Sequence, residues 1–332
     1  MQEDKIQSLV QKFPTLQFQQ DVLLAPYTYM KVGGKAAMFV EVGDRDTLFE
    51  LSKFCFENGI EFTVIGGASN VVIPDEGIDS LVIRNTTSQI YVRQDTPEQI
   101  LVEVDSGVIT AVLANKTMEK GYAGLEYFVG VPGTIGGAIV NNSHFRPDIL
   151  IGERVVSVEV CTQTGKRERW PVEKLGLAYD HSVFHQDRAV ILSATFTLLH
   201  DNPSVIQERV REAAARRSST QPIGVPSSGC MYKNPVLSSS QFSALSSQMA
   251  IPEGAVRKLS DGSIQVAAGF LIEAAGLKGT TTGGAQVSEK HATFLINSGS
   301  ASANDVGNLC LLVESTVERK FGIRLEREVF FL

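Results

Sequence analysis

Only four cysteines occur in the 332 residues, widely separated and with no Cys-x-x-Cys pair, which excludes both the ligand spacing of a zinc site and a disulfide framework. Cys55, Cys161 and Cys310 sit among apolar residues and read as small core side chains. Cys230 differs: it follows Ser227-Ser228-Gly229 in a turn-like segment and is the one thiol whose surroundings invite chemistry. Basic charge is also short, with 30 Lys and Arg against 37 Asp and Glu, a formal net charge of −7 and a pI of about 5.4. Nucleic acid and anionic membrane surfaces are therefore poor partners. No apolar run approaches the roughly 20 residues of a spanning helix. The opening stretch MQEDKIQSLVQKF lacks the basic end, apolar middle and small-residue cleavage site of a signal peptide. A soluble cytoplasmic protein is the expectation, and nothing points beyond a monomer.

Several signatures are missing as well. No GxGxxG follows a strand, and GxxxxGK[ST], GxSxG and HExxH do not occur, which sets aside a Rossmann dehydrogenase and the familiar hydrolases. His181 and His185 stand four residues apart, but no Cys or carboxylate pattern accompanies them, so no metal site is expected.

What is present is an ordinary globular composition, 43% hydrophobic and 20% charged, in a chain long enough for two or three domains. A short N-terminal helix leads to a strand at 37–42, a helix at 45–58 and a strand at 62–65, a βαβ unit ending in glycines, where a ligand would sit at the carboxyl end of the strand. Short β-branched runs at 81–83 and 100–104, a helix near 108–120, and strands at 155–162 and 189–199 form a second α+β piece. A charged helix, 205–217, leads out. The last piece holds a Ser-rich stretch at 237–247, a helix around 270–275, a long helix at 303–321 and a closing strand at 323–331. Three domains result: 1–85, 86–217 and 218–332.

Three glycine-rich turns stand out: Val32-Gly33-Gly34, Gly66-Gly67-Ala68-Ser69-Asn70, and Gly130-Val131-Pro132-Gly133-Thr134-Ile135-Gly136-Gly137. One alone would mark a loop. Glycine also lets backbone N–H groups approach phosphate oxygens without an intervening side chain. Three such turns, with Ser69 and Asn70 adding side-chain hydrogen bonds, point to a dinucleotide.

The order of these turns resembles the UDP-N-acetylenolpyruvoylglucosamine reductase family, in the type without an obvious extra tyrosine loop. The resemblance runs nearly end to end. It begins at Ala25-Pro26-Tyr27-Thr28-Tyr29-Met30-Lys31-Val32-Gly33-Gly34, passes the Gly66–Asn70 turn, and continues through Gly124-Leu125-Glu126-Tyr127 to Pro132–Ala138. Further matches are Pro226–Pro235, Gly269–Gly279, Gly283–Ala292 and Leu325-Glu326-Arg327-Glu328-Val329.

This resemblance implies an α+β fold, with a two-subdomain flavin cradle of the PCMH/VAO type and a C-terminal α+β domain that receives a UDP-sugar. FAD is the implied cofactor and NADPH the implied hydride donor. Tyr29, Gly33, Gly34, Gly66, Gly67, Ala68, Ser69, Asn70, Pro132, Gly133, Gly136 and Gly137 would hold the cofactor. Tyr179, Ser182, Lys233, Asn234, Gln286, Lys290 and His291 would face the substrate. Cys230 falls on the proton-donor position, where the family carries serine or cysteine, and Glu328 on that of the catalytic glutamate. The implied reaction, in bacterial cell-wall synthesis, is reduction of the enol ether to UDP-N-acetylmuramate.

The residues suit this chemistry. Hydride addition to the enol ether leaves carbanion or enol character on the carbon bearing the carboxylate, which a placed acid must protonate. A thiol, with a reference pKa of about 8.5, is largely protonated at neutral pH and can donate. One departure stands against the pattern. The family's Tyr-Arg-x-Ser segment reads Tyr179-Asp180-His181-Ser182 here, so an anion takes the place of the arginine that polarises the enolpyruvyl carboxylate. Aspartate there should repel the substrate unless a charged His181, or another cation such as Arg146, substitutes. The departure keeps two alternatives open: a flavin oxidase or dehydrogenase of the same fold acting on another substrate, and a flavin or nucleotide-sugar binding protein that has lost turnover.

Overall fold

The computed structural model describes residues 3–332, which form two compact units. The first takes the chain up to Leu24 together with Lys35–Ala68 and Gly77–Ser219; the second takes Ala25–Gly34, Ser69–Glu76 and Thr220–Leu332. Among the described residues, no helix is long and apolar enough to cross a membrane.

Within the first unit, a four-stranded sheet runs in the order Gln19–Leu23, Lys35–Val42, Ile78–Asn85, Phe62–Ile65. The strand, helix and strand expected at 37–65 are all there, but Ile78–Asn85 lies between the two strands and pairs in parallel with each. The intervening helix, Arg45–Glu57, starts where Asp44 accepts a 2.8 Å hydrogen bond from Thr47 N. It buries Leu48, Leu51 and Cys55 against Met38 and Val40.

The second sheet is antiparallel, in the order Arg167–Pro171, Val155–Cys161, Val190–His200, Ile100–Asp105, Ile90–Asp95. Thr164-Gly165 turn the chain between its first two strands, with Gly165 N bonding back to Thr162 O. Cys161, Val190 and Leu192 of this sheet share a core with the helix Arg45–Glu57. Arg45 at the start of that helix bonds Asp105 (2.6 Å) and Glu103 (2.5 Å) on the second sheet. Burial alone would raise the Glu103 carboxyl, but its hydrogen bonds to Arg93 and Arg45 outweigh that and hold it below the usual range. Shared apolar packing and this charged clamp make one unit of the segments the sequence divides near residue 85.

The second unit is built from short sheets around the helix Ala303–Phe321, which carries a capping box from Ser302 and Asp305 and stops at Gly322 in the left-handed region. Val306, Leu309, Cys310, Val313 and Val317 on this helix pack against Leu271, Val287 and Leu295. The N-terminal segments belong here because Asn297 Nδ2 donates to Met30 O and Asp75 accepts from Ala303 N.

One element departs from expectation. The terminal segment has the period-2 pattern of a long strand, yet only Phe330–Phe331 is a strand, paired in parallel with Val71–Val72. Its backbone changes partners: Lys233 N donates to Glu326 O, Glu328 N to Met231 O, and Phe330 N to Asn70 O. No single neighbour follows the segment far enough to form a ladder.

Candidate functional site

In the first unit, two of the glycine turns press against each other. A Cβ on Gly67 would lie 2.8 Å from Gly133 Cα, and one on Gly66 would overlap the Thr134 hydroxyl. Gly67 is needed because the loops meet backbone to backbone there, and Gly66 because the Thr134 side chain fills the space a Cβ would take. Gly133 O accepts from Thr110 N and Gly136 N donates to Ser106 O, which fixes the second loop, and Ala68 closes the first at φ 46°. Pro132 and Gly137 are exposed, and a Cβ on Gly137 would meet nothing nearer than Thr134 Oγ1 at 3.9 Å. A backbone rim fixed by these contacts and left open at Gly137 fits a dinucleotide diphosphate. The substitution Gly67→Ala clashes with backbone that cannot swing aside, and is expected to cost about 1–3 kcal/mol. Thermal unfolding together with the flavin absorbance retained per chain reads both effects.

Beside this rim the same unit carries an aromatic and cationic wall. Tyr127 stacks on Phe145 at 5.2 Å, and the guanidinium groups of Arg146 and Arg217 lie 5.9 and 5.8 Å from the Phe145 ring. Asp180 is fully buried at φ 49°, with His144 Nδ1 3.0 Å from its Oδ1. The other ring nitrogen of His144 lies 3.3 Å from the Tyr179 hydroxyl.

Asp180 is thus turned inward onto the His144 imidazole, and its partner is neither of the cations expected. His181 is exposed, with its ring edge-on to His185, while Arg146 reaches Asp148 and Glu212. Ser182 is likewise fully buried. Its hydroxyl donates to Val140 O and accepts from Phe184 N, so it fixes the loop and does not face a substrate.

In the second unit, Cys230 ends the short strand Ser227–Cys230 and pairs with Phe294. Burial pushes the thiols of Cys55 and Cys161 to about 12 and that of Cys310 to about 11, whereas Cys230 is partly exposed. Glu328 comes to the same place because its N–H bonds Met231 O, next to Cys230, while Asn70 Nδ2 donates to Glu328 O at 3.2 Å. Flanking contacts hold this arrangement: Arg327 bonds Glu314 at 2.5 and 3.1 Å, and Lys233 Nζ bonds Glu326 at 2.5 Å.

The remaining expected residues of this unit have definite places. Lys233 is therefore a paired cation. Asn234 Oδ1 caps the helix Ala268–Ala274 by accepting from Ala268 N. Gln286 Nε2 donates to Gly279 O, and Lys290 is exposed. Gly34 N bonds Pro74 O, Gly33 packs on Ile73, Ser69 is partly buried and Tyr29 is exposed. His291 and Thr293 complete the surroundings of the thiol: Thr293 Oγ1 lies 3.3 Å from Cys230 Sγ and 2.7 Å from His291 Nδ1. Sequence reading missed Thr293 and His144, since each acts through a partner distant in the chain.

Comparison with known proteins agrees with this picture. Residues 36–170 match the FAD binding domain model, and residues 221–332 match the C-terminal domain model of UDP-N-acetylenolpyruvoylglucosamine reductase. Among the relatives, the reductase of Gloeobacter violaceus is 35% identical over 95% of this chain and 96% of its own. That of Chlamydia muridarum is 34% identical over 94% and 93%. The crystal structure of the Thermus caldophilus enzyme aligns with a TM-score of 0.72 at 26% identity, covering 95% of this chain and 99% of that one. On all these grounds the chain belongs to the UDP-N-acetylenolpyruvoylglucosamine reductase family and is an FAD-dependent oxidoreductase.

Proposed function

We propose that this protein reduces the enol ether of UDP-N-acetylenolpyruvoylglucosamine to UDP-N-acetylmuramate, with Cys230 as the proton donor. Bound FAD would supply the hydride, after taking it from NADPH. The chain itself supplies position and protons. The rim of Gly66, Gly67, Gly133 and Gly137 offers backbone to the cofactor's diphosphate. Cys230 donates its thiol proton to the carbon bearing the carboxylate, and Glu328, held beside it, orients the enolpyruvyl group. Gln286, Lys290 and Asn234 border the sugar diphosphate.

The observation that carries this reading is the convergence of Cys230 and Glu328 through the hydrogen bond from Glu328 N to Met231 O. It brings the backbone of Glu328 beside the segment that carries Cys230, the partly exposed cysteine. In the first unit, Arg146 and Arg217 beside Phe145 offer the positive charge that Asp180 does not.

The test is NADPH consumption with and without the enolpyruvyl sugar, while dissolved oxygen is followed in parallel. Consumption should require the sugar and leave oxygen unchanged. Oxygen loss without sugar would favour an oxidase and refute the reading.

A further inference from the structure

Cys230 must recover a proton after each turnover if it donates one, and its immediate neighbours form a path that can return it. Met231 N donates to Thr293 O at 2.8 Å, and Cys230 pairs with Phe294, so the strands hold Thr293 against the thiol. The Thr293 hydroxyl carries one proton. When it donates to Cys230 Sγ, at 3.3 Å, it must accept from His291 Nδ1, at 2.7 Å. His291 is itself fixed: its N–H bonds Ser288 Oγ, its ring meets Phe294 edge-on at 5.1 Å, and the backbone of Gly269 lies along its other edge. Burial, helped by Lys278, pushes the imidazole below its usual range, so it is neutral with one N–H at neutral pH. Lys278 is the charged group that acts on His291.

We propose that Thr293 and His291 form a proton relay that resets Cys230 after each turnover. The relay rests on the reading of Cys230 as the donor. In it the thiolate left by donation takes the Thr293 hydroxyl proton, Thr293 takes the proton on His291 Nδ1, and His291 Nε2 takes one from water. One S–H bond is remade, the imidazole ends neutral as the other tautomer, and one solvent proton has been consumed. Thr293 and His291 are positioning residues, since both act through the thiol.

The experiment has two arms, run on the wild type, Thr293→Val and Thr293→Ser. In the first, iodoacetamide alkylation of Cys230 is followed against pH, with the buried Cys55, Cys161 and Cys310 silent. Loss of the hydroxyl donor should move the thiolate midpoint up by about one pH unit, and serine should restore it. In the second, stopped-flow turnover of NADPH-reduced protein should give a first sugar reduction at the wild-type rate in Thr293→Val, with later turnovers slowed roughly tenfold or more. A mere packing defect would lower thermal stability without moving the midpoint. An unchanged midpoint, or unchanged later turnovers, overturns the relay. Full turnover in Cys230→Ala would instead remove the donor assignment on which the relay depends, and the midpoint shift in Thr293→Val would still report the hydrogen bond.

Discussion

Cys230→Ala is expected to lower the rate of sugar reduction by about 10²–10⁴-fold, the usual contribution of a positioned acid. Loss of flavin colour on adding NADPH should proceed as in the wild type, because that step needs no proton from the thiol. The split matters more than the size of the fall. A general folding defect would depress both half-reactions, and Cys230 sits at the end of a four-residue strand where loss of one sulfur leaves no large cavity. Cys230→Ser keeps a proton to donate and should keep much of the rate. Rapid-mixing absorbance of each half-reaction checks the prediction, and equal slowing of both would refute it.

Restoring the family's arginine, in Asp180→Arg, is expected to destabilise the protein and not to improve it. Asp180 has no exposed surface, so a guanidinium in its place would have to enter the core beside His144. Breaking a buried pair leaves one charge without its partner and costs about 3–5 kcal/mol. In a unit of this size the melting temperature should fall on the order of 10 °C. The left-handed backbone at Asp180, φ 49°, adds to the penalty, since aspartate tolerates that region better than a long side chain does. The double variant His144→Gln, Asp180→Asn replaces both partners together and should lose less than either change alone. Differential scanning calorimetry decides the matter. An Asp180→Arg protein with unaltered melting and faster turnover would mean that the carboxylate faces the substrate.

The markers of the candidate site are legible in the sequence because they are local. Glycine turns at 66–67 and 133–137, the thiol after Ser227-Ser228-Gly229, and the Arg327-Glu328 segment each declare themselves within ten residues. The long helix at 303–321 was equally plain, since its apolar period, serine cap and terminal glycine agree. Two kinds of fact stayed hidden. Contacts across distance, such as His144 with Asp180, or Cys230 with Thr293, depend on which strands and loops meet, and no local pattern encodes that. Direction of a side chain was hidden as well: Ser182 and Asp180 look alike on paper as polar residues of a substrate loop, and both are turned wholly inward. The closing strand was overread because alternation records two-sidedness, which an extended segment has even when its hydrogen-bonding neighbour changes every few residues.

Anaerobic spectroscopy of the purified protein, with NADPH added first and the enolpyruvyl sugar second, is the most direct test. The expected result is a yellow protein that NADPH bleaches and the sugar recolours. In heavy water, the product should carry deuterium on the carbon bearing the carboxylate. A colourless preparation that takes up no FAD, or a bleached protein that the sugar leaves bleached, would contradict it.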